Sequence, residues 1–395
     1  MTSADNAEPH LPLQGIRVAE FCEIASGPFC GMLLSDMGAD VIKIEREGAG
    51  DAMRTWPPLS EGFSENFASL NRNKKSISLD LKKETDRRVA RDIATSVDVI
   101  IENYRPGVMA RNGLGYEEIS RLNPKIIYCS ISAFGQQGPR SQEGGFDLTI
   151  QAAAGLMSVT GEADAGPVKC GVPVADFAAG LYAAFCVSSG LRDVALGGDG
   201  QHFDVAMLGA TLGIAALQTS EYFGTGQNPR KLGSAHPRNA PYQAFATLDG
   251  HFAMAAGNNN LWSAVCSVVE RCDLIEHPKF ANPVSRAANQ TELRLLLEDI
   301  FASRPAAAWI SAFRAAGVPV SPINTYSEIL QDEQVRHMNW VRDMVLPNGV
   351  KTKTFISPVM ISGRNVSPRS PAPALNADRD EILADAALHR KTPNQ

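Results

Sequence analysis

Asp176 lies in the stretch Gly171-Val172-Pro173-Val174-Ala175-Asp176-Phe177-Ala178-Ala179-Gly180-Leu181, where an apolar extended run turns into an alanine-rich helix. Ala178, Ala179, Leu181, Ala183, Ala184 and Leu191 predict a helix over residues 177–192, apolar on nearly every side and so buried. That puts Asp176 at the N-cap, where unpaired N–H groups and the helix dipole favour an ionised carboxylate. Two uses are open to it. The commoner is to cap the helix; the other is to attack an electrophilic carbon as a nucleophile. A second feature with chemical potential is the turn Cys22-Glu23-Ile24-Ala25-Ser26-Gly27-Pro28, with Pro28 at the first helical position. Such a turn presents helix-terminal N–H groups to an anion.

These residues need a scaffold. Residues 16–21, 41–44, 98–101 and 125–131 read as strands, with helices at 28–38, 84–97 and 116–122 between them. Strand and helix in alternation predict βαβ units on a largely parallel sheet, with ligands beyond the carboxyl ends of its strands. No Gly-x-Gly-x-x-Gly follows the first strand and there is no Gly-x-x-x-x-Gly-Lys-Ser/Thr loop, which argues against a dinucleotide cofactor and a P-loop. From about residue 198 the pattern turns to long helices, with Gly- and Pro-rich breaks at 224–229 and 233–241. Leu248-Asp249-Gly250 marks a hairpin between 242–247 and 251–255, and helices fill 259–316. Residues 356–375, rich in Pro, Ser and Asn, read as an extended arm.

The chain has 395 residues, 44% of them hydrophobic and 20% charged, which is enough for two domains. Its net charge of −6 is the wrong sign for a nucleic-acid or anionic-membrane surface. No apolar run reads as the roughly 20 residues of a membrane span, and the polar start has no signal core, so a cytoplasmic protein is expected. Seven scattered cysteines without a Cys-x-x-Cys pair fit reduced thiols; no metal site is expected.

Several phrases occur in order: Leu13-Gln14-Gly15-Ile16-Arg17-Val18, Gly38-Ala39-Asp40-Val41-Ile42-Lys43-Ile44-Glu45, Gly50-Asp51 with Arg54 and Trp56, and Asn71-Arg72-Asn73-Lys74-Lys75-Ser76-Ile77. Glu102-Asn103-Tyr104-Arg105-Pro106-Gly107, Gly155-Leu156-Met157 and the Asp176 segment follow. With these the chain, from about 12 to about 380, resembles the family III CoA-transferases, the group of the formyl-CoA and carnitine CoA-transferases. The resemblance implies an α/β fold: a Rossmann-like large domain and a smaller α+β domain in an interlocked-ring homodimer. It divides the chain into a large domain at 1–200 and 326–395, a linker helix at 201–225 and a small domain at 226–325.

The resemblance also implies roles. Asp176 matches the family nucleophile, which carries first an acyl group and then CoA. Asp147 matches an acidic residue beside it, and either orients and tunes Asp176 or caps a second helix. Gly257 and Asn258, in Ala255-Ala256-Gly257-Asn258-Asn259, match the family's mobile glycine loop, with only Gly257 keeping glycine's freedom. Ile24, Ala25, Ser26, Arg46, Leu79, Lys82, Asn103, Tyr104, Arg111 and Met207 match CoA contacts, and Trp56 matches a residue lining the acyl region. CoA thioesters enter as substrates, with no permanently bound cofactor.

Two departures narrow the reading. The racemases of this superfamily pair the Asp with a His in Gly-His-Asp; here the phrase is Gly145-Phe146-Asp147, and Phe has no proton to exchange. Formyl-CoA transferase has a Gln at the position of Ala25, which makes oxalate or formate a poorer fit. The phrases Arg54-Thr55-Trp56 and Asn71-Arg72-Asn73-Lys74-Lys75, and His236 with Pro241-Tyr242-Gln243-Ala244-Phe245, are closer to the succinyl-CoA:glutarate-type members. The expected reaction therefore moves CoA from succinyl-CoA to a dicarboxylate or analogue such as glutarate, itaconate, mesaconate, malate or 3-sulfinopropionate. Arg54, Arg72, His236 and Arg238 are candidate cations for the acceptor's second acid, and Phe146 a pocket wall. The alternatives are an acyl-CoA racemase, a thioesterase and a non-catalytic CoA-binding protein.

Overall fold

The computed structural model describes residues 10–389, which divide into two compact units. Of the described residues, the first comprises 10–156, 169–226 and 334–389; the second comprises Met157–Val168 and Gln227–Glu333.

In the first unit six strands form one parallel sheet: β1 Arg17–Phe21, β2 Asp40–Arg46, β3 Lys74–Leu79, β4 Val99–Glu102, β5 Ile127–Ser132 and β6 Gln201–Ala206. Their spatial order is β3-β2-β1-β4-β5-β6. Val18 of β1 pairs with Val41 of β2 on one side and Val99 of β4 on the other. Side chains alternate across the sheet, so its two faces build two cores. Val18, Val41, Val99, Ile101, Ile127 and Cys129 pack on one face against Ala175, Ala178, Ala179, Ala183 and Val187 of the helix Val174–Ala195. Ala19, Phe21, Ile42, Ile44, Ile77 and Ile100 pack on the other against Ala90, Ile93 and Ala94 of the helix Glu84–Ser96, with Ile382 and Ala386 of Arg379–Leu388.

The parallel sheet agrees with the expected α/β class. Two of its strands were not anticipated. β6 occupies residues 201–206, read as the start of a linker helix; the helices Met207–Ile214 and Ala216–Thr225 follow it within the same unit. β3 begins Lys74-Lys75, and its polar composition hid it. The helix Val174–Ala195 is apolar and long enough to span a membrane by length and composition, against the sequence reading. Its alanines pack on the sheet instead. Gly180 on that helix is required by space, since a Cβ there would meet the Ser26 carbonyl oxygen at 2.7 Å.

The second unit has an antiparallel three-stranded sheet in which the strand His251–Ala255 lies between Tyr242–Ala246 and Val320–Pro322. The hairpin register pairs His251 with Ala246 and Ala255 with Tyr242, around the anticipated turn. Trp262, Phe280, Phe301, Trp309 and Phe313 fill the core between this sheet and its helices. Its boundaries differ from the expected 226–325 by including residues 157–168 and extending to Glu333.

Candidate active site

Because β1 and β4 are neighbours while their following segments depart to opposite sides, the carboxyl ends of these strands leave a crevice, the usual ligand position in open parallel sheets. A cleft of about 200 Å³ is there. It is lined by Glu23, Ile24, Ala25 and Ser26 after β1, Asn103 to Pro106 after β4, Ser132 and Ala133 at the end of β5, and Met207 after β6. Gly145, Phe146 and Asp176 are also part of the wall. The fold thus brings together eight residues singled out from the sequence: Ile24, Ala25, Ser26, Asn103, Tyr104, Phe146, Asp176 and Met207.

Asp176 is the third residue of its helix, with Pro173 at the cap and no side-chain cap bond, so the N-cap assignment does not hold. Asp147 does the capping. Its Oδ1 accepts from the Ala175 N–H at 2.9 Å, and its Oδ2 accepts from Gln151 Nε2 at 2.7 Å. Gln151 Oε1 in turn accepts from the Cys170 N–H at 2.9 Å, tying the segment that precedes the helix. Asp147 is the first residue of its own short helix, Asp147–Ala153, whose N-cap is Phe146, and its charge acts on Asp176. The i, i+4 spacing of Asp147 and Gln151 accounts for the bond between them within that helix.

The expectation of a readily ionised Asp176 also changes. Burial, and secondarily the negative charge of Asp147, push its carboxyl up from 3.8 to about 7. The helix terminus favours the anion, but desolvation and a like charge outweigh it. Such a carboxylate is poorly stabilised where it is buried, which makes it the more reactive nucleophile when ionised.

The loop after β1 is held by its neighbours. Asn103 Oδ1 accepts from the Glu23 N–H at 2.9 Å, and Asn103 Nδ2 donates to the Glu23 carbonyl at 2.8 Å, so this residue binds the loop backbone. Glu23, not anticipated, lines the cleft; burial and then Asp51 raise its carboxyl, against the opposing charges of Arg46 and Lys43. The Tyr104 N–H donates to Glu102 Oε2 at 2.9 Å, and burial lifts Glu102 to about 7. Burial raises the Tyr104 phenol as well, which keeps it neutral.

Arg46 at the end of β2, Leu79 at the end of β3, Lys82 just beyond it and Arg111 after β4 lie outside the cleft lining but belong to the same carboxyl edge of the sheet. Arg46, Lys82 and Arg111 are exposed, and Leu79 is buried. Trp56 is 42% exposed and also outside the cleft lining.

The proposed acceptor cations are otherwise engaged. Arg54 forms a two-pronged pair with Glu45 at 2.7 Å on both contacts, donates to the Pro373 carbonyl and lies over the Phe67 ring. Arg72 is buried, with Nε and Nη2 on the Asp36 carboxylate at 3.0 and 2.6 Å. Both guanidiniums serve the fold, where a bidentate carboxylate is the favoured partner.

His236, Arg238, Gly257 and Asn258 belong to the second unit. His236 Nδ1 accepts from the Arg238 and Asn239 N–H groups, each at 3.1 Å, and burial, then Arg238, depresses its pKa. An imidazole whose Nδ1 is an acceptor is neutral, so it supplies no charge to a second acid. Asn258 caps the helix Asn259–Val268 by accepting from the Leu261 N–H. Gly257 has no left-handed backbone; its small size is needed because a Cβ would meet Asn239 Cβ at 2.7 Å. Buried Arg286, which no local sequence signal marked, donates to the carbonyls of Ala240, Phe280 and Gly257 and to Asn259 Oδ1.

Residues 13–379 match the family described as CoA-transferase family III. The chain is 37% identical over 375 residues to the succinyl-CoA:glutarate CoA-transferase of Mus musculus, covering 95% of this chain and 86% of that protein. It is 36% identical over 364 residues to the acetyl-CoA:oxalate CoA-transferase of Acetobacter aceti, covering 92% of each. A solved structure of a CAIB/BAIF family protein from Brucella suis superposes with a TM-score of 0.85 at 36% identity, over 96% of this chain and 100% of that one.

Proposed function

The chain belongs to family III of the CoA-transferases, and from that premise we propose that it moves CoA between two carboxylic acids through covalent intermediates on Asp176. The observation that carries this reading is the position of Asp176: a carboxyl with a pKa of about 7, in a cleft at the carboxyl ends of β1, β4 and β5. An Asp176 oxygen attacks the thioester carbonyl carbon of the donor; the new C–O bond forms as the C–S bond breaks, and CoA leaves as thiolate. The thiolate attacks the aspartyl carbonyl carbon of the resulting anhydride, giving an aspartyl-CoA thioester and the free donor acid. An acceptor carboxylate then attacks that thioester, expelling thiolate and forming a second anhydride. Thiolate finally attacks the acceptor's acyl carbon, which yields the new thioester and returns Asp176. Each step exchanges one activated acyl group for another, so no outside energy source enters.

The donor is succinyl-CoA and the acceptor a dicarboxylate or its analogue, in line with the glutarate named for one relative. The oxalate named for another relative is also a dicarboxylate, and it enters the panel of acceptors although Ala25 stands where formyl-CoA transferase has a Gln. Racemisation is disfavoured because Phe146, 69% exposed beside the cleft, has no group that could exchange a proton. Incubation with succinyl-CoA and a panel of acids, read by mass spectrometry, tests the proposal. Free CoA as the sole product with every acid would sink it. Hydroxylamine should inactivate the enzyme only after acyl-CoA is added, and Asp176→Ala should abolish both trapping and transfer.

The working assembly is a homodimer. Support comes from a largely apolar groove of about 800 Å³ in the first unit, lined by Phe29, Met32, Phe355 and Val359 with Leu181 and Phe185, the last two 55% and 69% exposed on the Asp176 helix. Light scattering that returned a monomer would contradict it.

A further inference from the structure

Ile24, in the middle of the cleft loop, has φ 70°, the left-handed region that a β-branched side chain rarely enters. Something must hold it there. The Ile24 N–H donates to Asp51 Oδ1 at 3.0 Å, and the same oxygen accepts from the Met53 N–H at 2.9 Å. Asp51 Oδ2 lies 2.9 Å from the buried Lys43 ammonium. Lys43 also donates to the carbonyl of Cys22 at 2.8 Å, the residue that begins the same loop, and to Glu20 Oε1 at 3.0 Å. Glu20 Oε2 pairs with Lys74 at 2.8 Å, and Lys74 donates to the carbonyl of Pro28 and to Asn71 Oδ1. All four charged side chains are fully buried. Two carboxylates and two ammoniums leave no net charge. The row is anchored on β1, β2 and β3, and it grips the loop backbone at Cys22, Ile24 and Pro28.

We propose that Asp51 is a positioning residue for CoA transfer: it holds Ile24 in the left-handed conformation and thereby sets the backbone of the cleft loop against which the thioester binds. The inference rests on the reading of the cleft as the CoA site. Asp51 does not line the cleft; it reaches the loop backbone through Ile24 and Lys43, and its charge also raises the Glu23 carboxyl in the cleft. A neutral amide has one acceptor oxygen for two demands, the Lys43 ammonium and the Ile24 N–H, whereas the carboxylate meets both, so loop geometry and charge balance are joined in one side chain. Glycine enters the left-handed region unaided, and this separates the clamp from the charge.

The test is a double-mutant cycle on the full-length enzyme, with the dissociation constant of free CoA from calorimetry and kcat/KM for succinyl-CoA as readouts. Asp51→Asn should weaken both by about tenfold or more when residue 24 is Ile, the size expected for losing control of one strained residue. In the Ile24→Gly background the same substitution should cost less than about threefold, because glycine has no left-handed penalty to be overcome. An equal Asp51→Asn penalty in both backgrounds would overturn the proposal and leave Asp51 a charge partner of Lys43. If Asp51→Asn does not fold, Asp51→Glu keeps the charge while displacing the acceptor, and the same two outcomes apply. Failure of the underlying reading looks different: Ala25→Phe, which fills the cleft, would leave CoA affinity unaltered. Loss of CoA affinity in Ala25→Phe together with an equal Asp51 penalty in both backgrounds would remove the clamp and keep the cleft.

Discussion

Replacing Asp176 by Asn should stabilise the protein, and more so at high pH. The unfolded carboxyl titrates near 3.8 and the folded one near 7. Between those values the folded chain holds a proton that the unfolded chain has released, so stability falls as pH rises through the window. Above it the full difference applies: about three pH units at roughly 1.4 kcal/mol each, or ~4 kcal/mol as an upper bound. Asn is neutral throughout and nearly the same size, so it avoids this cost. At about pH 4.5 only ~1 kcal/mol of the cost has accrued, and by about pH 8.5 nearly all of it has. With roughly 2 °C per kcal/mol for a unit of this size, the gain in Tm of Asp176→Asn over wild type should grow by about 6 °C between those conditions. Calorimetry or circular dichroism melts of both proteins at the two pH values measure it. A pH-independent gain would refute the argument that desolvation governs this carboxyl, and a loss of stability at high pH would show that the helix terminus wins instead.

The same carboxyl should shape catalysis: kcat/KM for acyl-CoA should rise about tenfold per pH unit below neutrality and level off above about 7, as the free enzyme's Asp176 ionises; steady-state rates across pH check this. Asp147→Asn retains an oxygen for the Ala175 N–H but removes the like charge, so the acidic limb of that profile should move to lower pH. Glu20→Gln leaves two buried ammoniums short of charge and should cost about 3–5 kcal/mol in denaturant unfolding, whereas Glu84→Gln, in an exposed pair on the helix Glu84–Ser96, should be nearly neutral.

What the sequence revealed depended on how local the determining physics was. β1, β2, β4 and β5 announce themselves through apolar runs, and the hairpin around Leu248-Asp249-Gly250 through its turn residues. β3 does not, because the charge of its buried Lys74 is met by Glu20, more than fifty residues earlier in the chain. Asp176 was identifiable as a candidate from its place at a helix start, yet its cap came from Asp147 on another segment, so the inferred ionisation had the wrong sign. Arg54, Arg72 and His236 had the right chemistry for an acceptor's second acid and the wrong company: Glu45 and Asp36 neutralise the two arginines, and two backbone N–H groups fix the imidazole as neutral. Partners distant in sequence decide whether a cation is available, and no motif encodes them.

The outer edge of β3 is finished by the far end of the chain. Asp378 Oδ2 accepts from the Ser76 N–H at 2.8 Å, Asn376 Oδ1 accepts from the Ser78 N–H at 2.9 Å, and Asn73 Oδ1 accepts from the Arg369 and Ser370 N–H groups. Side chains thus occupy edge donors that would otherwise invite another strand. During synthesis the ribosome must add some three hundred residues before these blockers exist, so the nascent sheet spends that interval with a bare, pairing-competent border. Chaperone dependence and aggregation of chains stalled before residue 370 would be the cellular signature of that delay.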